Sequence, residues 1–365
     1  MPRPDASIDR LSASSYRIPT ESPESDGTIA WDSTTLVLAE ASGGGQTGIG
    51  YSYADRSAAD LIGRKLSAAV VGLDAMDVPR AWEAMRASAR NLGRPGVAST
   101  AISAVDAALW DLKAKLLGVS LADLLGRARD AVPAYASGGF TSQSIGELEA
   151  QLGGWAAEGF RMVKMKVGRD PGADPDRVRA AREAIGPDVA LFVDANGACD
   201  RKRALRLAER FAEQGVCWFE EPVSSDDPEG LRLLRDRVPA PMEVAAGEYA
   251  YGDRDFRALL LAGAVDVLQA DATRCLGLTG FLRAGTLASA FGVPLSAHCA
   301  PSLHVPSCCA LAVVRHVEDF YDHHRIEHLL FDGAPRAEGG MLRPDRSRPG
   351  LGLDFKRADA ERFAT

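Results

Sequence analysis

Beyond about residue 129 this chain repeats one unit, a strand-like run ending in a reactive side chain and then an amphipathic helical run, and few architectures accommodate that repeat. The strand-like runs cover residues 190–196, 217–222, 242–248, 265–271, 293–298 and 313–318. Helical patterns over residues 175–185, 201–214 and 228–237 lie between them. A spacing of about 20 to 28 residues is the signature of a parallel sheet wound by right-handed crossovers. Where such units close into a barrel, the active site sits at the carboxyl ends of the strands. Asp194, Glu220, Glu248, Asp271, His298 and Glu318 fall at those ends. Packing does not place a polar group at the end of strand after strand, so the pattern reads as an active site.

Ahead of that series, residues 160–168 read Phe-Arg-Met-Val-Lys-Met-Lys-Val-Gly. Strand alternation puts Lys164 and Lys166 on one face and Val163, Met165 and Val167 on the other. Two adjacent ammonium groups repel, so one loses its proton more readily, and a lysine held near neutrality can take a proton from carbon. Alone, the stretch reads equally well as a solvated edge strand; its company decides. Asp194, Glu220 and Glu248 end three consecutive strands and converge on one rim, where three carboxylates repel unless a cation lies between them. An all-oxygen set without histidine or cysteine favours Mg²⁺, with Mn²⁺ also fitting. Asn196 and Glu221 lie beside the ligands and are placed to brace them. Asp271 beside His298 would fix the imidazole tautomer and make it a competent acid or base. With the lysines on the second strand and the histidine on the seventh, a substrate at the centre has a base on each side.

The remainder of the sequence sets bounds. Hydrophobic residues at 46% with 25% charged describe a globular chain with material for a sizeable core. A formal net charge of −8 argues against a nucleic-acid partner. The first twenty residues lack the apolar core of a secretory leader, and no run reaches the length of a membrane span, so no membrane association is expected. The six cysteines show no metal-type spacing, and reduced thiols in the cytoplasm are expected. Residues 1–128 lack the repeat: a strand at 34–39, polar loop-like stretches at 19–27 and 43–56, and helical patterns at 79–92 and 98–117 stopped by Gly118. They read as an α+β domain packed on a barrel of residues 129–338, whose first strand is 132–137. Residues 339–365 read as an irregular tail returning to that domain. The glycines after Ser137 are expected to make a turn. His304, His316 and the histidines of residues 321–328 have no partner by spacing and are expected on the surface or in support.

Taken together, Lys164-x-Lys166, Asp194, Glu220-Glu221-Pro, Gly247-Glu248, Asp271, His298 and Glu318 closely resemble the mandelate racemase subgroup of the enolase superfamily, and none of these positions departs from its pattern. The resemblance covers nearly the whole chain. It implies a (β/α)₇β TIM-like barrel with an N-terminal α+β cap, and removal of a proton next to a carboxylate to give an enediolate held by the metal. It implies metal ligation by Asp194, Glu220 and Glu248, with Lys166 the base on one face and Lys164 lowering its pKa. It makes His298, paired with Asp271, the base or acid on the other face, and Glu318 the acid that hydrogen-bonds the substrate carboxylate. The substrate is then a small carboxylic acid. Expulsion of a β-hydroxyl would make the enzyme a dehydratase of aldonic or aldaric acids; reprotonation on the other face, a racemase or epimerase; a barrel that only binds the acid is a remote third reading. Polar stretches at 19–32 and 50–56, in the position of capping loops, tilt the expectation towards a polyhydroxylated acid. A homo-oligomer is expected.

Overall fold

The computed structural model describes residues 6–365; residues 1–5 of the expected first domain lie outside the described residues. The chain opens with an antiparallel sheet of β1 (Arg10–Ser25), β2 (Ala30–Gly43) and β3 (Gln46–Tyr53). The stretches expected as loops at 19–27 and 43–56 are therefore largely strand. In the first, the β1–β2 register shifts between Pro19 and Glu24, leaving Glu21, Ser22 and Pro23 exposed on a bent hairpin. In the second, the glycines answer a packing demand. A Cβ on Gly48 would lie 2.2 Å from the carbonyl oxygen of Ala108, and one on Gly50 2.3 Å from that of Ala104. Glycine is what lets the helix Val97–Leu117 lie directly on β3. That helix is rich in buried alanine and serine, and it packs against the barrel helix Gly277–Phe291 on its other side. It ends at Gly118 in the left-handed conformation, as expected.

The barrel strands are β4 (Val132–Gly138), β5 (Met162–Lys166), β6 (Ala190–Asp194), β7 (Val216–Glu220), β8 (Glu243–Ala246), β9 (Val267–Ala270), β10 (Leu295–Ala297) and β11 (Val314–Phe320). Each pairs in parallel with the next, and β11 pairs with β4, closing the barrel. Register aligns the rim: Lys166 lies beside Asp194, and Asp194 beside Glu220. Below the rim, Tyr135, Phe192, Trp218 and Val267 fill the interior. The rings of Phe192 and Trp218 stack at 5.1 Å. His316 belongs to this buried layer, contrary to a surface position, with Nδ1 2.9 Å from Ser296 Oγ. Burial pushes its pKa down to about 3, so it stays neutral. After β11 the chain continues into a helix, Tyr321–Leu330.

Cap and barrel are stitched by buried polar contacts. Trp82 Nε1 donates to the Leu276 carbonyl at 2.8 Å. Thr279 donates from its backbone N–H and from Oγ1 to Asp106, at 2.8 and 2.7 Å. The Tyr51 hydroxyl donates to Glu327 Oε1 at 2.5 Å. In the tail, Met341–Leu342 pairs with the barrel strand β4, and Thr365 N–H donates to the Ser15 carbonyl of the cap at 3.0 Å.

Candidate active site

Alternation on β5 turns Lys164 and Lys166 into the barrel and Val163 and Met165 outward into the core beneath the helices, and all four are buried. Lys164 Nζ lies 2.5 Å from Glu220 Oε1, 2.9 Å from Glu318 Oε1 and 3.6 Å from Asp194 Oδ2. Lys166 Nζ lies 2.5 Å from Asp194 Oδ2. Burial disfavours charge on Lys166 and Lys164 repels it, but Asp194 outweighs both and holds Lys166 above the usual lysine range. The expected depression of Lys166 is thus reversed here, because repulsion from one ammonium is weaker than contact with a carboxylate.

Asp194, Glu220 and Glu248 each offer an oxygen within 4.8 Å of the others. That is near the roughly 4 Å spanned by two oxygens on opposite sides of Mg²⁺. Burial and the neighbouring Asp194 push Glu220 up to about 8, the repulsion that a divalent cation relieves. The donor set therefore fits a hard cation. A second grouping, His298, Cys299 and Glu318, is a poorer candidate. Burial drives the Cys299 thiol well above its ordinary pKa, and a metal needs the thiolate. Asn196, Glu221 and Cys299, each just past a strand end, have φ of 46°, 36° and 54°. Left-handed backbone costs a residue with a side chain on the order of 1–2 kcal/mol. The strain is gathered at the rim, where the side chains have to be aimed. The Asn196 N–H donates to Asp194 Oδ1 at 2.8 Å, which braces that carboxylate. Glu221 is buried and kept protonated by burial and by Glu248, and its Oε1 has no partner among the described residues.

On the opposite side, His298 Nδ1 donates to Asp271 Oδ2 at 2.8 Å, and Nε2 lies 3.0 Å from Glu248 Oε2. Burial opposes the imidazolium, but Cys299, Glu248, Glu318 and the Asp271 hydrogen bond outweigh it, raising the pKa of His298. Asp271 falls to about 2, burial being overcome by His298. His304 stands behind this pair rather than on the surface. Its Nδ1 donates to the Cys299 carbonyl at 2.8 Å and its Nε2 accepts from Ala272 N–H at 2.8 Å.

Sequence reading missed Arg274, whose guanidinium lies 3.2 Å from Glu248 Oε1 and 3.5 Å from Asp271 Oδ2. Its position three residues past Asp271 was the available signal. It missed Cys299, whose backbone N–H donates to Glu318 Oε2 at 3.1 Å. It also missed the outer wall. A cavity of about 360 Å³ reaches from Lys166, Asn196, Glu248, His298 and Glu318 to Asp26, Ile29, Trp31, Tyr53 and Asp55 of the cap. The residues from 19–32 and 50–56 that face it include aromatic and aliphatic side chains. Glu21 and Glu24 do not line it; they bond to Tyr321 and to Trp31 Nε1.

The model of the enolase C-terminal domain-like family matches residues 147–360. That of the mandelate racemase/muconate lactonizing enzyme N-terminal domain matches residues 19–126. A 3,6-anhydro-alpha-L-galactonate cycloisomerase of Streptomyces coelicolor is 33% identical over 360 residues, covering 96% of this chain and 98% of that protein. Among solved structures, a mandelate racemase/muconate lactonizing enzyme-like protein from Rubrobacter xylanophilus is 54% identical with a TM-score of 0.96, covering 98% of this chain and 100% of that one. L-talarate/galactarate dehydratase from Salmonella typhimurium LT2, liganded with Mg and L-lyxarohydroxamate, is 29% identical with a TM-score of 0.90, over 99% of this chain and 93% of that one.

Proposed function

Since the chain belongs to the mandelate racemase/muconate lactonizing enzyme family of the enolase superfamily, we propose that it is a Mg²⁺-dependent enzyme that removes the α-proton of a sugar acid and expels the β-hydroxyl, yielding a 2-keto-3-deoxy acid. The observation that carries this reading is the placing of Lys166 and the His298–Asp271 pair across the barrel from each other, with three buried carboxylates between. The relatives compared above, a cycloisomerase and a dehydratase, act on acids of this kind by name.

In this reading Asp194, Glu220 and Glu248 would hold Mg²⁺, which would supply charge neutralisation among these carboxylates and polarisation of the substrate carboxylate. Lys166, kept beside the α-carbon by β5, takes the proton from C2 on one face. Nε2 of His298 is aimed inward because Asp271 holds Nδ1, and it gives its proton to the departing C3 hydroxyl. The C2–H and C3–O bonds break, a C2=C3 bond forms, water leaves, and the enol becomes the 2-keto acid. Configuration at C2 decides which base takes the proton. Glu318 is assigned the substrate carboxylate. Burial opposes its charge, but Lys164 and His298 hold it ionised, so to donate it must first take a proton, and His298 Nε2 is 3.7 Å away.

A racemase uses the same two bases and differs only in keeping the β-substituent. The test covers both. Incubation with Mg²⁺ and a panel of aldonic and aldaric acids in D₂O, followed by NMR, should give 2-keto acid with deuterium at C3. Exchange with inversion at C2 and no keto acid would convert the assignment to racemase, and no exchange with any acid would overturn both. No described helix is long and apolar enough to cross a membrane. A cytoplasmic homo-oligomer completes the proposal.

A further inference from the structure

The outer, cap side of the cavity has a chemistry of its own. Trp31 and Tyr53 of the cap line it, and Tyr249, Phe320 and His323 add rings from the barrel, Tyr249 lying against Arg274 and Phe320 within 5.9 Å of Lys166 Nζ. His323 stacks on Tyr53 with ring centroids 3.4 Å apart. Burial pushes its pKa down to about 3, so the ring is neutral, and its buried Nδ1 has no partner among the described residues.

Cations are missing where they would matter. Of the described residues, Lys166 and Arg274 are the cations that line the cavity, and both come from the barrel. Lys166 is engaged by Asp194, and Arg274 by Glu248 and Asp271. Arg169, outside the lining, spends a guanidinium nitrogen on the Ile29 carbonyl at 3.2 Å. At the outer end the charged lining groups are carboxylates, Asp26 and Asp55. Asp55 is held ionised, its pKa lowered by hydrogen bonding from Ser57.

We infer that this site takes monocarboxylic acids with an uncharged far end and discriminates against diacids. The inference rests on the proposed function and narrows it to aldonate-type substrates. One carboxylate of the substrate goes to the rim. A second, at the far end of the same molecule, would leave water to face Asp55 and a neutral imidazole, with no cation among the cap-side lining residues to meet it. A terminal hydroxyl meets no such opposition. The flanking rings pack on the C–H faces of the carbon chain, and the neutral imidazole can exchange a hydrogen bond with a hydroxyl.

The test uses pairs of acids of one configuration that differ only at the last carbon, an aldonate with CH₂OH and the aldarate with COO⁻. C2 exchange in D₂O with Mg²⁺ is measured for each pair. The aldonate should exceed its aldarate in kcat/KM by at least about tenfold, the effect of about 1.4 kcal/mol. Asp55→Asn, which keeps a side-chain oxygen for Ser57, should narrow the ratio about fivefold, as expected for one charge about 4 Å away in water. His323→Arg, which adds a cation at the far end, should bring the aldarate level or ahead; Thr35→Arg serves if that variant does not fold. An aldarate equal to or better than its aldonate with the wild type overturns the inference and leaves the proposed function standing. Exchange with neither member of any pair overturns both.

Discussion

At the barrel end of the cavity every charged side chain faces another: Lys164 and Lys166 lie against Asp194, Glu220 and Glu318, and His298 lies between Asp271 and Glu248. At the cap end the carboxylates are turned to other tasks. Asp26 accepts the N–H groups of Thr28 and Ile29 in its own turn, and Glu24 accepts from Trp31. Rings share the wall with the carboxylates of Asp26 and Asp55. The difference separates reactivity from selection. The rim is a dense set of opposed charges whose members need one another. The cap supplies shape, and its residues are replaceable one at a time.

If the rim is one cooperative charge set built for a divalent cation, removing the cation should have the largest effect of any perturbation. EDTA should take C2 exchange to background and Mg²⁺ should restore it, while Glu220→Gln should raise the Mg²⁺ concentration needed. Undiminished exchange in chelated enzyme would dissolve the distinction between the two ends. Next in size come the bases. Lys166→Ala and His298→Asn should each lower turnover by about 10²–10⁴, the usual share of a general acid or base. The two variants should differ in which C2 epimer they still exchange by NMR. Wild-type exchange of both epimers by both variants would mean that neither is the base.

The same contrast explains what could be read from the chain beforehand. Strand ends are legible: alternation over residues 162–166 and one carboxylate per repeat place Lys164, Lys166, Asp194 and Glu220 without further information. The barrel's hydrogen-bond register then brings them together. The cap was harder because its signals are tertiary. Gly48 and Gly50 are compositionally loop residues, and only the helix lying on them makes them strand. Polarity over residues 19–32 gave a fair position for the loop and a poor view of its inner face, since Glu24 turns aside and Trp31 turns in. Arg274 and His323 lie past strand ends, on segments whose direction alternation does not specify.

Smaller again is the effect of loosening the joint between the ends. Tyr51→Phe removes the hydroxyl that donates to Glu327 Oε1 and leaves a buried acceptor short of a donor. Such a loss costs about 1–3 kcal/mol. Urea unfolding should show that decrease, with C2 exchange at saturating substrate far less affected than in the base variants. A fall in exchange as deep as that of Lys166→Ala would show that the cap takes part in the chemistry.

The effect furthest from the chemistry, and the one that tests the cap alone, concerns Glu24. Its carboxyl is pushed up to about 8, mainly by burial and then by Asp322, with the Trp31 hydrogen bond opposing. In the unfolded chain the same group titrates near 4.3. Between these values the folded protein holds a proton that the unfolded chain has released, so stability falls as pH rises through the window. The contribution is complete below about pH 4 and exhausted above about 8, with a slope of at most about 1.4 kcal/mol per pH unit. Asp106 and Glu327, pushed up to about 7 by burial, add slopes of the same sign, so the observable is a difference between proteins. Glu24→Gln keeps an oxygen for Trp31 Nε1 and cannot ionise. Urea unfolding at pH 6 and pH 8.5 should therefore show a smaller loss of stability in Glu24→Gln than in the wild type. Equal losses would place Glu24 in water rather than behind Trp31, and the cap wall would have to be redrawn around a charged carboxylate.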